Sequence, residues 1–335
     1  MLLKWLLWFP LSLLQWALCL VGLAALVLAA MIATPLTPLP ELHSVSETAK
    51  AVDRSTMPPL DHFSARDGTT LTYRHYAARG PVAGPIAILV HGSSGSSPAV
   101  HGLADALAAH GIETFAPDIR GHGGSGNRGD IGYVGQLEDD MADFVALVRR
   151  TNPDAPITLL GHSAGGGFAL RLASSPIQNL FARTVLLAPY LGYDAPTNRP
   201  DSGGWAHADV PRFLALAMLH RIGIDCCEQL PTLAFAVPAN SSAILASTYS
   251  YRLMRNFATR GYKADFAATT RPVTLFAGAD DELMLSDKYA DAVHAVAPKV
   301  DVKLIEGVNH MSILSDPRAV SAIADDVAKR GMAGT

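Results

Sequence analysis

Continuous apolar runs and amphipathic stretches alternate along most of the chain. Residues 85–92 ("PIAILVHG") and 157–161 ("ITLLG") are almost wholly apolar, which is typical of central strands covered on both faces. Residues 136–150 ("QLEDDMADFVALVRR") instead place apolar side chains at helical spacing. Strands that alternate with helices in this way predict an α/β fold with a mostly parallel central sheet flanked by helices on both faces.

The same two patterns recur on either side of these segments. Two short strand patterns flank Asp67 and Gly68, a pair of residues typical of a hairpin turn. Further strands are predicted at residues 112–118, 183–189, 273–278 and 300–307, and further helices at residues 97–111, 166–173 and 319–330.

One region, residues 190–270, interrupts this alternation. It shows no convincing strand, and residues 210–223 and 241–258 have helical patterns. We therefore expect a helical cap that is inserted between two sheet strands and lies over one end of the sheet. A helical layer packed on a sheet face is the alternative. The α/β core is then expected at residues 61–189 and 271–335.

The amino-terminal segment has a different pattern. Residues 5–33 carry no charged side chain, and residues 11–33 alone would form a helix about 34 Å long, enough to cross a bilayer core of about 30 Å. Such a segment is long for a cleavable signal peptide, although the small residues near its end are compatible with cleavage. We expect residues 1–33 to be a single-pass membrane anchor. Secretion after signal cleavage and a buried globular helix are the alternatives.

The residues around this segment indicate how the rest of the chain is arranged. Lys4 precedes the apolar residues, and the next basic residue is Lys50. Because positively charged flanks tend to stay in the cytoplasm, we expect the folded part outside it. Residues 34–60 are rich in proline, serine and threonine, and we expect them to form a linker.

Composition and charge narrow the possible functions. The chain of 335 residues is 49% hydrophobic, too apolar for a disordered protein, and its net charge of −4 argues against a nucleic-acid-binding surface. Its three cysteines, Cys19, Cys226 and Cys227, lack the spacing of a metal site, and we interpret them as structural thiols. The sequence has no dinucleotide-binding glycine pattern, so we expect no cofactor and no metal. Composition gives no oligomeric state.

A single serine lies between two glycines at a predicted strand–helix junction. Gly161 and Gly165 permit the tight turn that would raise the Ser163 hydroxyl above the sheet. The helix that follows brings partial positive charge to a developing oxyanion. Ser163 is therefore the candidate nucleophile, and a glycine-rich turn without catalytic function is the alternative.

A serine nucleophile needs a base, and the base needs a carboxylate that orients it. His310 lies just past the last predicted strand, at the same end of the sheet as Ser163, and is the candidate base. His162 precedes the serine directly, so its side chain should point away, and we interpret it as a packing residue.

The acid can come from the loop after the strand at residues 273–278. Asp280 and Asp281 both follow this strand, and adjacent residues usually point in different directions, so at most one is well placed. Asp194, which follows another strand, is a third possibility. The order serine, aspartate, histidine is that of the α/β-hydrolases.

Acyl transfer also needs hydrogen-bond donors for the oxyanion. The strand at residues 85–92 ends in a loop rich in serine and glycine, which starts beside the predicted turn. The backbone N–H groups of Ser93 and Ala164 are the candidate donors. An ordinary loop is the alternative.

Five segments together resemble the α/β-hydrolase superfamily, over roughly residues 60–330. They are, in chain order, "LVHGSSG", "APDIRGHGGSG", "LLGHSAGG", "FAGADDELM" and "GVNHM". Residues 118–125 ("DIRGHGGS") resemble in particular the branch of monoglyceride lipases, lysophospholipases and serine aminopeptidases. The resemblance implies that the acid is Asp281, at the fourth position of G-x-x-D, and that the insertion is the family's cap. A serine at position 163, where dehalogenases and epoxide hydrolases have aspartate, argues against those branches.

These residues and the resemblance together predict a membrane-anchored serine hydrolase that cleaves carboxylic esters, including lipid-like monoesters. Ser163 would form an acyl-enzyme, His310 would transfer the protons, and Asp281 would fix the histidine tautomer. The expected partners are a small ester or lipid-like substrate and a membrane, and no nucleic acid. The alternatives are amide cleavage like that of serine aminopeptidases, acyl transfer to an acceptor other than water, and a binding module without catalysis.

Overall fold

The computed structural model describes residues 2–80, 84–241 and 244–331. The strands are β1 (Asp61–Ser64), β2 (Thr70–Tyr76), β3 (Ile86–Val90), β4 (Glu113–Pro117), β5 (Ile157–His162), β6 (Arg183–Leu187), β7 (Ala206–Ala208), β8 (Pro231–Phe235), β9 (Thr248–Ser250), β10 (Val273–Gly278) and β11 (Asp301–Ile305). The helices are α1 (Leu2–Ile32), α2 (His43–Lys50), α3 (His101–Ala109), α4 (Gln136–Thr151), α5 (Ala164–Ala173), α6 (Val210–Arg221), α7 (Tyr251–Asn256), α8 (Tyr262–Ala268), α9 (Tyr289–His294) and α10 (Pro317–Gly331).

Eight strands form one sheet in the order β1-β2-β4-β3-β5-β6-β10-β11. β1 and β2 form the predicted hairpin, and Gly68 has a positive φ of 80°, which favours glycine in this turn. β2 also runs antiparallel to β4, whereas the pairs from β4 to β11 are all parallel. The structure therefore confirms the predicted α/β fold with a mostly parallel sheet.

Apolar side chains cover this sheet on both faces. β3 and β5 are buried along their whole length, as their continuous apolar runs predict. Successive residues of β3 belong to two different hydrophobic clusters of the core. Ile88 lies in the cluster of Phe144 and Phe168, whereas Leu89 lies in the cluster of Leu103 and Leu107. Because both faces are packed, the loops at the carboxyl ends of these strands start from fixed positions.

The region at residues 190–270 is only partly helical. α6 occupies the first predicted helix, but β7, β8 and β9 form a separate antiparallel sheet in this region. The second predicted helix begins only at Tyr251, as α7, because the preceding residues pair with β8. The expectation that this region contains no strand is wrong. Its strands are too short to show the alternating pattern by which a strand is recognised.

The amino-terminal residues form one long helix, α1. Its stretch Leu13–Ile32, with a mean hydropathy of 2.3, is long and apolar enough to cross a bilayer, a property that a signal sequence near the amino terminus shares.

Residues 34–60, predicted as a linker, contain helix α2. Val45 of α2 is buried, and the Leu42 N–H donates to the Ala236 carbonyl at 3.0 Å. This segment therefore packs on the folded part of the chain rather than forming a free stalk.

Candidate active site

Ser163 lies on the turn between β5 and α5. Its backbone has φ 54° and ψ −120°, a conformation that residues other than glycine rarely adopt. The neighbouring strand stabilises the turn, because the Ser163 N–H donates to the Leu187 carbonyl at 2.9 Å and the Ser163 carbonyl accepts from the Tyr190 N–H at 2.9 Å. Such strain, supported by the surrounding structure, is typical of a nucleophilic serine.

The two glycines beside Ser163 allow close backbone contacts. A Cβ atom at Gly161 would lie 2.1 Å from the Gly165 carbonyl oxygen, and a Cβ atom at Gly165 would lie 2.2 Å from the His91 carbonyl oxygen. A Cβ atom at Gly92 would lie 3.2 Å from the Ser163 Cβ. The loop after β3 therefore lies directly against the serine turn.

His310 and Asp281 form a buried pair at the same edge of the sheet. His310 Nδ1 donates to Asp281 Oδ2 at 2.8 Å, and the two side chains are 2% and 0% exposed. The other carboxylate oxygen of Asp281 accepts the N–H groups of Leu283 and Met284, each at 2.8 Å. These bonds fix the orientation of the carboxylate, and the carboxylate fixes the orientation of the imidazole.

The surroundings of Asp281 favour its charged form. Burial alone would raise the pKa of Asp281, but the charge and hydrogen bond of His310, with the two backbone N–H groups, outweigh burial and lower it. Asp280 and Asp194, the other two candidates, are exposed, and among the described residues neither contacts His310. The geometry therefore brings together His310 and Asp281, and not the alternatives.

The main chain of His310 is held by two further side chains. Glu282 Oε2 accepts the His310 N–H at 3.0 Å, and His162 Nε2 donates to the His310 carbonyl at 2.9 Å. Burial, together with the charge of His310, lowers the pKa of His162 to about 3, so this ring stays neutral. Within the described part of the chain, no hydrogen bond joins the Ser163 hydroxyl to the His310 ring. Such bonds are often long before substrate binds.

The two candidate oxyanion donors flank the Ser163 turn. Ala164 is the first residue of α5, so its N–H has no acceptor within the helix. In the described residues, neither this group nor the Ser93 N–H donates to another protein group. Both are therefore free to bind a developing negative charge on a substrate oxygen.

Two aromatic side chains of the cap, which sequence reasoning missed, hold the loop after β3. Trp205 Nε1 donates to the Ser93 hydroxyl oxygen at 2.9 Å, and the Ser94 N–H donates to the Tyr249 hydroxyl at 2.7 Å. Ser94 has a positive φ of 65°, so this part of the loop is strained. No local sequence pattern indicates these contacts, because they join segments more than a hundred residues apart.

The motif at residues 118–125 supports the same loop. Asp118 accepts the Ser97 N–H at 2.7 Å and the Thr72 hydroxyl at 2.7 Å. His122 contacts the Tyr249 hydroxyl through Nε2. The residues that carry the resemblance to the hydrolase branch thus bind the loop at Ser97 and contact Tyr249, the cap residue that binds the loop at Ser94.

One group of possible metal ligands lies in the cap, away from these residues. His220, Asp225 and Glu228 place their ligand atoms within 4.8 Å of one another. His220 Nδ1 lies 2.8 Å from Asp225 Oδ1 and 2.9 Å from Glu228 Oε1. These direct contacts between an imidazole and two carboxylates account for the cluster without an ion, and we assign no metal to it.

Comparison with known protein families identifies the family of residues 83–318. The family described as serine aminopeptidase, S33, matches residues 83–318, which include both oxyanion candidates and all three triad candidates. The chain belongs to this S33 family. Its solved structural neighbours include a soluble variant of monoglyceride lipase from Saccharomyces cerevisiae, with a TM-score of 0.63 and 16% identity over 86% of this chain and 98% of that one. A putative aryl esterase from Burkholderia cenocepacia has a TM-score of 0.56 and 19% identity over 82% of this chain and 100% of that one.

These neighbours confirm the α/β-hydrolase fold, and the family match together with relatives named monoglyceride lipase confirms the suspected branch. The chain is 33% identical to the monoglyceride lipase homolog of Monkeypox virus over 118 residues, 34% of this chain and 42% of that protein. It is 30% identical to the monoglyceride lipase of Mus musculus over 154 residues, 45% of this chain and 48% of that protein. The matched region spans less than half the length of each relative.

Proposed function

We propose that this S33 protein is a serine hydrolase that cleaves carboxylic esters, with lipid-like monoesters as its substrates. The contact between His310 Nδ1 and Asp281 Oδ2 at 2.8 Å, at the sheet edge that also carries the strained Ser163 turn, is the observation that carries the proposal. The similarity to proteins named monoglyceride lipase supports an ester as the bond that is cleaved.

The proposed reaction follows from the tautomer of His310. Because Nδ1 carries the proton donated to Asp281, Nε2 has a free lone pair and accepts the Ser163 proton as the serine attacks the ester carbonyl. The N–H groups of Ser93 and Ala164 stabilise the tetrahedral oxyanion. His310 then returns the proton to the leaving alcohol, which leaves an acyl-enzyme. Water attacks this ester with His310 again as base, and the carboxylic acid and free Ser163 are released.

The proposal also assigns roles to the parts of the chain. Residues 61–189 and 271–335 supply the reacting groups, and residues 190–270 form the cap over them. Residues 1–33 hold the protein to a membrane as a single-pass anchor, with the folded part outside the cytoplasm. The apolar composition of Leu13–Ile32 and the position of Lys4 support this arrangement.

Labelling with a fluorophosphonate and a chain-length series of p-nitrophenyl esters test the proposal on the full-length protein in detergent. Ser163→Ala should lose the label and several powers of ten in kcat, because the nucleophile is removed. Ser315→Ala, a serine outside the proposed machinery but close to His310 in sequence, is the matched control and should keep both. Labelling of Ser163→Ala, or ester hydrolysis within tenfold of the parent, would overturn the proposal.

Amide cleavage is the second candidate, and one carboxylate favours it. Glu282 lies beside His310, and among the described residues its Oε1 atom has no hydrogen-bond partner, so a substrate ammonium group has an acceptor there. Aminoacyl p-nitroanilides distinguish the two candidates. A kcat/KM for these amides above that for the esters, which Glu282→Gln reduces selectively, would establish the aminopeptidase function instead.

A further inference from the structure

Helix α6 of the cap presents an apolar stripe on the outside of the molecule. Val210, Leu214, Met218 and Ile222 follow one another at every fourth position and are 44–69% exposed. Leu216, on the other side of the helix, is 1% exposed and packs on the protein. α6 is therefore apolar on two sides, and the folded chain covers only one of them. A row of large exposed apolar side chains marks a binding surface.

The start of α6 is attached to the end of α1 by buried polar groups. Thr34 Oγ1 donates to Asp209 Oδ1 at 2.8 Å, and Arg212 Nε donates to the Ile32 carbonyl at 2.9 Å. The Arg212 guanidinium also donates to the Thr34 carbonyl. Asp209 and Arg212 are 5% and 8% exposed, so water competes little for these bonds. We call these four residues the clamp.

The clamp fixes where the stripe lies relative to the anchor. Leu13–Ile32, the stretch of α1 long enough to span a bilayer, ends at the clamp, and α1 packs against α6. α6 starts at the clamp and has 12 residues, so the stripe lies within about 20 Å of the point where α1 would leave the bilayer. The outward side of α6 and the exposed side chains of Leu13–Ile32 are thus neighbouring apolar surfaces that the described part of the chain leaves uncovered.

We propose that α6 lies on the bilayer surface with its apolar stripe at the boundary of headgroups and acyl chains, and that the clamp holds it there. An amphipathic helix on a membrane buries its apolar side in this way. The inference rests on the proposed membrane role of α1 and not on the ester chemistry. The occupant of the stripe is lipid, because the surface continuous with it is a lipid-spanning helix. A second copy of the chain is an alternative that the experiment distinguishes.

The experiment places a fluorescent bimane label on the stripe of the full-length protein in phosphatidylcholine nanodiscs. The native cysteines are first replaced by Cys19→Ala, Cys226→Ser and Cys227→Ser. The label is then attached at Met218→Cys, and at Leu304→Cys as the control, since Leu304 is a 43% exposed apolar residue on the far edge strand β11. The bimane fluorescence of each labelled variant is measured first with a nitroxide quencher on the lipid acyl chain and then with aqueous iodide as the quencher.

Contact with lipid predicts several-fold stronger quenching by the lipid nitroxide at position 218 than at position 304, and weaker quenching by iodide. Equal lipid quenching at the two positions would overturn the membrane contact. Protection of position 218 from both quenchers would show that a second copy covers the stripe, which also overturns it. Neither readout needs hydrolysis, so failure of the proposed function leaves this test intact.

Two variants test the clamp itself. Thr34→Val removes the hydroxyl that donates to Asp209. Arg212→Lys keeps the positive charge but loses the paired guanidinium bonds to the carbonyls of Ile32 and Thr34. Each should lower lipid quenching at position 218 by about half or more without changing the circular dichroism spectrum. Unchanged quenching in both correctly folded variants would show that the clamp does not hold α6 at the membrane.

Discussion

His310 is held in place by neighbours that do not react. Its ring is fixed by Asp281, and its main chain is fixed by Glu282 and His162. The positions of Ser163 and His310 just past a strand make both of them candidates from the sequence alone. The residues by themselves leave the acid open among Asp280, Asp281 and Asp194, and the family resemblance favours Asp281. The contacts of Glu282 and His162 depend on where the main chain of His310 runs, which no spacing reveals. His162, expected to pack, also donates a hydrogen bond.

Replacing Asp281 by asparagine should leave a folded protein with little activity. The amide cannot stabilise the charged imidazole and favours the wrong tautomer, so kcat should fall by about four powers of ten. Asp280→Asn and Asp194→Asn are the matched controls, because both residues are exposed. Ester hydrolysis is compared at matched thermal stability. If Asp281→Asn keeps most of the parent kcat while one control variant loses it, the acid is the aspartate that was replaced in that control variant.

The elements differ in how well their sequences predict them. β3, β5 and α4 show patterns that are continuous over five residues or more, and the structure has each of them. β7 and β9 have three residues each and owe their structure to pairing with β8. Pairing between distant segments leaves no local pattern. The sheet of the cap and its contacts with the loop after β3 could therefore not be predicted from the sequence.

The hydroxyl of Tyr249 connects β9 to the loop after β3, which carries the proposed oxyanion donor Ser93, and its removal should impair catalysis. Tyr249→Phe leaves the buried Ser94 N–H and the His122 ring without this partner, which costs about 1–3 kcal/mol of stability and frees the loop. We expect kcat to fall about tenfold or more, with little change in KM, because the lost contact acts on the oxyanion donors.

Tyr251→Phe is the control for this variant. Tyr251 is also buried and belongs to the cap, but of the described residues its hydroxyl contacts only Arg255, at 3.3 Å. Steady-state kinetics and chemical denaturation are measured for both variants. Equal kcat values in the two would show that the cap does not position the loop.

Among the buried histidines of the described residues, three lie in surroundings that favour the neutral ring. Burial lowers the pKa of His91, His122 and His162, that of His162 to about 3. In the unfolded chain each histidine takes up a proton below about pH 6.5, whereas in the folded protein it takes up the proton only at a lower pH. The free energy of unfolding should therefore decrease as the pH falls below about 6.5, until the folded pKa values are reached.

Chemical denaturation between pH 7.5 and pH 4.5 measures this dependence. His162→Gln keeps a donor for the His310 carbonyl but cannot titrate, so the slope should fall by up to about 1.4 kcal/mol per pH unit. His110→Gln, at an exposed position, should leave the slope unchanged. A slope in His162→Gln equal to that of the parent would contradict the prediction.

A chain that starts at Glu41 should fold and hydrolyse a short, water-soluble ester at a rate close to that of the full-length protein. It loses α1 and the bonds of the clamp, but it keeps the Leu42 contact with Ala236 and the buried Val45. Turnover of a monoester embedded in vesicles should fall much more. Solubility, melting temperature and both rates are measured, and an insoluble or inactive product would show that α1 is part of the fold.

The clamp joins segments that a ribosome makes far apart in time. Thr34 and Asp209 are separated by 175 positions, which at 5–20 residues per second takes roughly 10 to 35 s of synthesis. α1 is therefore synthesised well before α6, the helix to which the clamp attaches it. β6 and β10, which pair in the centre of the sheet, are also separated by the whole cap. With α1 as the proposed anchor, the growing chain is tethered to the bilayer before its sheet can close, and its cap is synthesised beside the surface on which we propose it comes to rest.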